Sequence, residues 1–391
     1  MTFESLFTLN LLNSRPKKYF VTLIICFVLQ ENILSLSLRA PYQNSIKGEY
    51  LIDVFIPQFT AWRKIQNMIY IDEETVLSLI NWDKTFKAME VAMKRVTEGR
   101  VVQSARGRTK IFDKPDILLT MPGYLEDGEF GALGCKIVTF FPGNVELKTP
   151  LPSVNANIML FDEKTGIIKG IVAGTEITKW RTAAASAVAT KYIHAKKLAS
   201  SKILAIVGAG EQGKVHAECF KHFFDFQEVR IWNRTPSRAH SLAEYLNKKY
   251  NTNIYKVNVS VEECVKEADV IVSSTNSSVP VLMADWIKAG AHINAVGAGK
   301  THHSEVQEKL YFQSDVYIDH WEGAKTELAG LEKAGVKFKG EVGGVIRGDI
   351  KTEDENKITI FQSLGKTNLR GKTIITDQLN SLSSLNCLFK K

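Results

Sequence analysis

The chain has 391 residues, 45% hydrophobic and 24% charged, a globular composition long enough for two domains, which excludes fibrous and wholly disordered classes. Its net charge of +8 does not point to nucleic acid, because the excess sits at the ends: seven basic against four acidic residues in 1–67, and five against one in 366–391. The body between is nearly neutral and has no basic patch interleaved with aromatics.

The five cysteines (Cys26, Cys135, Cys219, Cys264, Cys387) are scattered and form no C-x-x-C, the pattern of a reducing, cytoplasmic compartment without zinc or disulfides. At the amino end, Lys17-Lys18 precede an apolar run from Tyr19 to Leu29 that Gln30-Glu31-Asn32 interrupts. Those eleven residues are too few to cross a bilayer, which takes about 20. The run has the length of a signal-peptide core, and Ser35-Leu36-Ser37 would pass as a cleavage site, although a long region precedes it. Residues 1–67 are read as an extension to the folded protein, with a secretory or membrane-anchoring segment as the alternatives and Met68 as a second candidate start.

Residues 72–98 predict two helices. Asp72 caps a run with Val76, Leu77 and Ile80 on one face, and a second run from Phe86 to Val96 ends at Gly99. From Val101 to Ile171 the pattern turns to strands, at 117–119, 134–141, 156–161 and 170–173, with Asp162–Gly166 as a turn between two of them. Thr175–Ile193 follows as a helix whose alanine density suits close packing against its neighbours.

The stretch KILAIVGAGEQG (202–213) carries the most information. A buried-looking strand ends in Gly208-Ala-Gly210-Glu211-Gln212-Gly213, and a helix opens at once. In that context G-x-G-x-x-G is a dinucleotide fingerprint: Gly208 for the tight turn, Gly210 for close approach of a pyrophosphate, Gly213 for helix–strand packing. The helix start then offers free N–H groups to the phosphates. A glycine-rich turn without a ligand is the bland alternative. Further strands at 228–232, 269–274, 291–296 and 316–319 extend the block to residue 319; 320–360 reads as helical, then extended at 358–361.

About 20 residues after the last glycine, a carboxylate would bind the ribose 2′-OH of NAD. Here Glu228–Trp232 is followed by Asn233, Arg234 and Thr235, with Arg238 close behind. A guanidinium fork suits a 2′-phosphate, so NADPH is expected over NADH, unless these arginines merely solvate a helix start.

The runs VVQSAR (101–106), ALGCKIVTF (132–140), RTAAASAVATKYI (181–193), EVRIWNRT (228–235), AGAHINAVGA (289–298) and FQSLG (361–365) resemble the ornithine cyclodeaminase/mu-crystallin family, its mu-crystallin branch most closely, over about three-quarters of the chain. The resemblance implies an α/β protein: a central Rossmann-type domain (194–319) flanked by an α+β substrate and dimerisation domain built from both chain ends (68–193 and 320–391). It implies a homodimer. It places Arg106, Lys136 and Arg181 at the carboxylate of an amino- or imino-acid substrate, with Lys136 also a candidate proton donor. On the cofactor side it places Gly208, Gly210, Glu211, Gln212 and Gly213 at the pyrophosphate, with Asn233, Arg234, Thr235 and Arg238 at the 2′-phosphate. Arg181, Ser273, Thr275, Val296 and Gly297 line the rest, and Ser153 and Ser363 lie near the nicotinamide. Taken singly, Arg106 reads as a solvated arginine, Arg181 as an ion-pair partner, and the two serines as turn or packing residues.

Two departures from the family matter. Cyclodeaminases carry an aspartate shortly after the HINAVG run, where this chain has Ala298-Gly299-Lys300. That points to NADPH-dependent reduction of cyclic ketimines rather than to ornithine cyclisation or amino-acid dehydrogenation. His302-His303 nearby read as solvated. The tail after Gly365 lacks the family's closing amphipathic helix, which keeps open a binding role, such as thyroid-hormone binding, in place of catalysis.

Overall fold

The computed structural model describes residues 23–29, 32–38, 69–103, 107–297, 303–352 and 355–364. In the amino-terminal extension, β1 (Leu23–Leu29) and β2 (Asn32–Leu38) pair antiparallel, Leu23 opposite Leu38 and Leu29 opposite Asn32. The expected apolar run is therefore a strand for most of its length. No helix among the described residues is long and apolar enough to cross a membrane.

From residue 69 the chain builds two sheets around one helix. The first sheet holds β3 (Ile69–Ile71), β4 (Val101–Gln103), β5 (Gly107–Lys110), β6 (Ile117–Leu125), β7 (Ala132–Phe140), β8 (Val154–Phe161) and β9 (Ile168–Ala173). Its order is β3-β9-β8-β7-β6-β4, with β5 also on β6; all pairs are antiparallel except β3 with β9. Strand alternation sends Ala132, Gly134, Lys136 and Val138 of β7 to the buried side. The Asp162–Gly166 turn forms as predicted: the Asp162 carboxylate accepts from the N–H groups of Lys164 and Thr165, and Gly166 takes a φ of 71°.

The two predicted helices are α1 (Glu73–Leu79) and α2 (Trp82–Thr97), capped by Asp72, which accepts from Thr75 N–H at 2.8 Å, and Asn81, which accepts from Lys84 N–H at 2.9 Å. The alanine-rich segment is α3 (Thr175–Ile193), with the predicted bounds. Gly174 at its start has no side chain to cap with, so Glu73 of α1 supplies the cap, accepting from Thr175 N–H at 2.7 Å and Glu176 N–H at 3.2 Å. Ala183, Ala184, Ala185, Ala187 and Ala189 are all buried, because α3 packs on α2, β8, α5 (Glu211–Phe223) and the second sheet at once.

After a short α4 (Ala195–Leu198), the second sheet is wholly parallel. Its strands are β10 (Ile203–Val207), β11 (Glu228–Trp232), β12 (Tyr255–Val257), β13 (Val270–Ser273), β14 (His292–Ala295), β15 (Ser314–Ile318), β16 (Phe338–Glu341) and β17 (Ile358–Gln362). The order is β12-β11-β10-β13-β14-β17-β15-β16, with α6 (Pro236–Tyr250), α7 (Val261–Val265) and α8 (Glu308–Gln313) in the crossovers. Leu204 and Ile206 enter the core shared with α2, α3 and α5, whereas Ala205 and Val207 enter the opposite one. Both faces are covered, which is why these strands read as continuous apolar runs.

The carboxyl-terminal region differs from the sequence reading. Beyond α9 (Trp321–Glu327) and α10 (Ala329–Ala334), β16 and β17 belong to the parallel sheet rather than to the returning domain, and β17 inserts between β14 and β15. Among the described residues, α11 (Val342–Arg347) goes back, packing on α2 and α3. β16 was hidden in a stretch whose neighbours are helical, and no local pattern reports that a strand inserts between two earlier ones.

Candidate active site

The order of the parallel sheet reverses between β10 and β13, and the crevice at the carboxyl ends of such strands is where α/β sheets bind ligands. The glycine fingerprint sits there. Gly208 turns with φ 111°, and a Cβ on it would come within 2.8 Å of the Ser274 carbonyl oxygen. Gly210 begins α5 with no side-chain cap, and the space its Cβ would enter is empty to 4 Å. A Cβ on Gly213 would overlap the Gly208 carbonyl oxygen. An uncapped helix start facing open space fits a pyrophosphate.

Neighbouring residues hold this loop. Asn233 accepts from Ala209 N–H at 3.0 Å and donates to the Thr235 carbonyl at 3.0 Å, so its amide braces the turn and its polar atoms are committed to backbone. Glu211 lies 2.9 Å from Lys179, which also meets Glu176 at 2.7 Å. That lysine holds the Glu211 carboxyl below its ordinary range. Gln212 is half-buried, its carbonyl accepting from His216 Nδ1–H at 2.7 Å. Arg234, Thr235 and Arg238 are exposed beyond the end of β11, and no carboxylate stands among them.

At the next strand ends the hydroxyls of Ser273 and Thr275 turn inward. Ser273 Oγ donates to Glu305 Oε1 at 3.0 Å, the Thr275 N–H donates to the same oxygen at 2.6 Å, and the Thr275 hydroxyl joins them. Burial pushes the Glu305 carboxyl above its ordinary range against these hydrogen bonds. Val296 and Gly297 both donate to the Ser273 carbonyl, and a Cβ on Gly297 would overlap the Glu305 carboxylate. Buried Ser363 follows β17, donating from its N–H to the Ala295 carbonyl at 3.0 Å. Glu305 went unread in the sequence because its hydroxyl partners lie 30 and 32 residues away.

Of the three expected substrate cations, Lys136 and Arg181 are buried, 3% and 2% exposed. Arg106 lies outside the described residues, as do Gly299, His302 and the tail. Lys136 is registered between Met121 of β6 and Ile158 of β8, on the covered face of the antiparallel sheet. Ile177 of α3 packs into that same face with Ile158 and Leu160, and Arg181 follows one helical turn later. Arg181 also neighbours His216 of α5. Burial, with a contribution from the Arg181 charge, lowers the His216 imidazole to about 4, so it is neutral at pH 7. His216 bridges Ser186 Oγ of α3 at 3.0 Å and the Gln212 carbonyl, tying the arginine's helix to the phosphate helix. Ser153 lies half-buried at the start of β8, its carbonyl accepting from Phe141 N–H at 2.8 Å. A polar cleft lined by His194, Lys197, Asp315 and Lys357 lies at the opposite ends of the parallel strands, away from these residues.

Residues 66–367 match the family described as ornithine cyclodeaminase/mu-crystallin. The chain belongs to this family. The ketimine reductase mu-crystallin of Macropus fuliginosus is 38% identical over 269 residues, 69% of this chain and 82% of its own length. Among solved structures, the Thermococcus litoralis Δ1-pyrroline-2-carboxylate reductase in complex with NADH and L-proline is similar with a TM-score of 0.69 at 28% identity, covering 82% of this chain and 98% of that one. An archaeal alanine dehydrogenase dimer with bound NAD gives 0.71 at 27% identity, covering 83% and 97%. The ornithine cyclodeaminase/mu-crystallin fold thus accounts for both sheets and for the long helix between them.

Proposed function

We propose that this chain is an NADPH-dependent reductase of cyclic ketimines that carry a carboxylate, and that it works as a homodimer. The observation that carries the reading is the pair of buried cations: Lys136 on the antiparallel sheet and Arg181 on the helix that leads from it to the phosphate loop. An ammonium and a guanidinium are suited to receive an imino-acid carboxylate through charge-assisted hydrogen bonds. The kinship with a ketimine reductase and with a pyrroline-2-carboxylate reductase that binds NADH and L-proline supports it.

In this reading the Arg181 guanidinium grips the carboxylate with two parallel N–H donors and fixes the ring plane. Lys136 supplies a second charge from the sheet side and a proton for the ring nitrogen. The walls formed by Met121, Val138, Ala156 and Ile158 exclude water around them. The dinucleotide, when bound, supplies the hydride to the imine carbon. Arg234 and Arg238, exposed beside the turn after β11, receive the 2′-phosphate.

The test is oxidation of NADPH by the purified protein with Δ1-pyrroline-2-carboxylate, from about pH 5 to about pH 8, where the protonated imine favours the acid side. NADPH should bind at least about tenfold tighter than NADH, equivalent to about 1.4 kcal/mol. Absence of turnover across that range would overturn the reductase reading. Light scattering should give twice the chain mass.

A further inference from the structure

We infer that Glu305 is a positioning residue for the nicotinamide end of the cofactor, an inference that rests on the proposed reductase reading. Glu305 is 1% exposed and ties three separate segments together. Its Oε1 gathers the Ser273 hydroxyl, the Thr275 hydroxyl and the Thr275 N–H at the end of β13. Its own carbonyl accepts from Val281 N–H at 2.8 Å and Leu282 N–H at 3.0 Å, in the segment that leaves β13. Its carboxylate also lies where a side chain on Gly297 would stand, at the end of β14.

The two strand ends it touches are adjacent in the sheet and lie on the crevice side, next to the β10 loop that takes the phosphates. A dinucleotide with its pyrophosphate on that loop would extend its nicotinamide half across these ends. The parallel ladder gives out there, its last backbone bonds running from Ser274 N–H to the Val207 carbonyl and from Val296 and Gly297 N–H to the Ser273 carbonyl. Thr275 stands two residues beyond Ser273, the last residue of β13, and Gly297 two residues beyond Ala295, the last residue of β14. A buried acceptor that binds one N–H and two hydroxyls extends that restraint past the end of the ladder. Apolar packing around Val306, Leu282 and Ala295 keeps water from competing for those donors.

The geometry also says which part of the side chain matters. The three donors converge on Oε1, so an uncharged amide that keeps this oxygen preserves the restraint. Glu305→Gln should retain kcat within about threefold, whereas Glu305→Ala should lower it at least about thirtyfold at saturating cofactor, a selective loss of the step that depends on orientation. The KM for the ketimine should change less than threefold in both variants, since Lys136 and Arg181 are untouched.

A readout independent of turnover is amide hydrogen exchange in the protein without cofactor. Peptides covering Ser273–Thr275 and Ala295–Gly297 should exchange faster in Glu305→Ala, and at the parent rate in Glu305→Gln. Thermal unfolding of both variants shows whether each is folded at assay temperature. Equal loss of kcat in the two variants, or a Glu305→Ala variant with parental kcat and parental exchange, would overturn the inference. Failure of the parent to reduce any cyclic ketimine would instead strike the reductase reading, and the exchange result would still decide whether Glu305 restrains the strand ends.

Discussion

Replacing Gly210 and Gly213 by alanine separates the two jobs of the phosphate loop. Gly213 lies in the first turn of α5, and an added methyl there would overlap the Gly208 carbonyl oxygen, a backbone atom that cannot rotate aside. Overpacking of this kind costs roughly 1–3 kcal/mol, here towards the upper end, against a gain of about 1 kcal/mol from replacing glycine in a helix. The net loss of about 2 kcal/mol should lower Tm by about 4–8 °C. Gly210 has ordinary extended backbone, φ −86° and ψ −169°, and nothing within 4 Å of the methyl position. Its substitution loses a little capping and gains a little chain entropy, so Tm should stay within about 2 °C of the parent. The methyl would occupy the space assigned to the pyrophosphate. Loss of one charged hydrogen bond there costs about 1.5–3 kcal/mol, which weakens NADPH roughly 10- to 150-fold. Thermal melts and a fluorescence titration of NADPH read both effects. Parental NADPH affinity in Gly210→Ala would refute the placement of the phosphates, and a parental Tm in Gly213→Ala would refute the close packing of α5 on the loop.

Three further outcomes follow from the site and its frame. Arg234→Ala should erase most of the proposed preference for NADPH while leaving NADH affinity within about twofold, because in that reading the exposed guanidinium meets the cofactor at its 2′-phosphate; competitive titration of both cofactors checks it. Arg181→Lys keeps the charge but loses the fork, so KM for the ketimine should rise about 10- to 100-fold in steady-state assays at saturating NADPH. Glu90, buried between α2 and α3, resists ionisation by its burial, yet Lys87, Tyr192 and Lys191 outweigh that and hold its carboxyl down at about 2. The stability it adds is present above the ordinary carboxylate range and is lost as pH falls from about 4.5 towards 2. Glu90→Gln should therefore lower stability at pH 7 by about 1 kcal/mol or somewhat more, read as a lower Tm, and the gap to the parent should narrow below about pH 4.5 and close only as the pH reaches about 2.

Sequence read best where local chemistry and packing agree. The strand–glycine–helix unit at 203–223 and the alanine helix Thr175–Ile193 were legible because their residue types suit one conformation and one degree of crowding. Lys136 was conspicuous as a cation in the middle of an alternating strand, and the register puts it on the buried face. Other features depend on contacts between distant segments. Asn233 looked like a cofactor ligand, but its amide is engaged by Ala209 and Thr235. Ser273 and Thr275 carried hydroxyls at strand ends, with nothing local to show that Glu305 would claim them. The position of β17 was illegible for the same reason, since strand order is written in pairing and not in the strand.

That strand order has a consequence for biosynthesis. β17 is the last described strand in the chain, yet it stands between β14 and β15, hydrogen-bonded to both. Until Gln362 has left the ribosome, the sheet exists as two fragments: β12 through β14 on one side, and the β15–β16 pair on the other. Each fragment then offers an open edge to the same missing strand, and two unpaired edges on one nascent chain are an invitation to pair with another. A stall or premature stop shortly before residue 358 would therefore release a chain with nearly all its apolar core and no means of closing it. Such a product should be drawn to chaperones or aggregate, even though it retains the phosphate loop, Lys136 and Arg181.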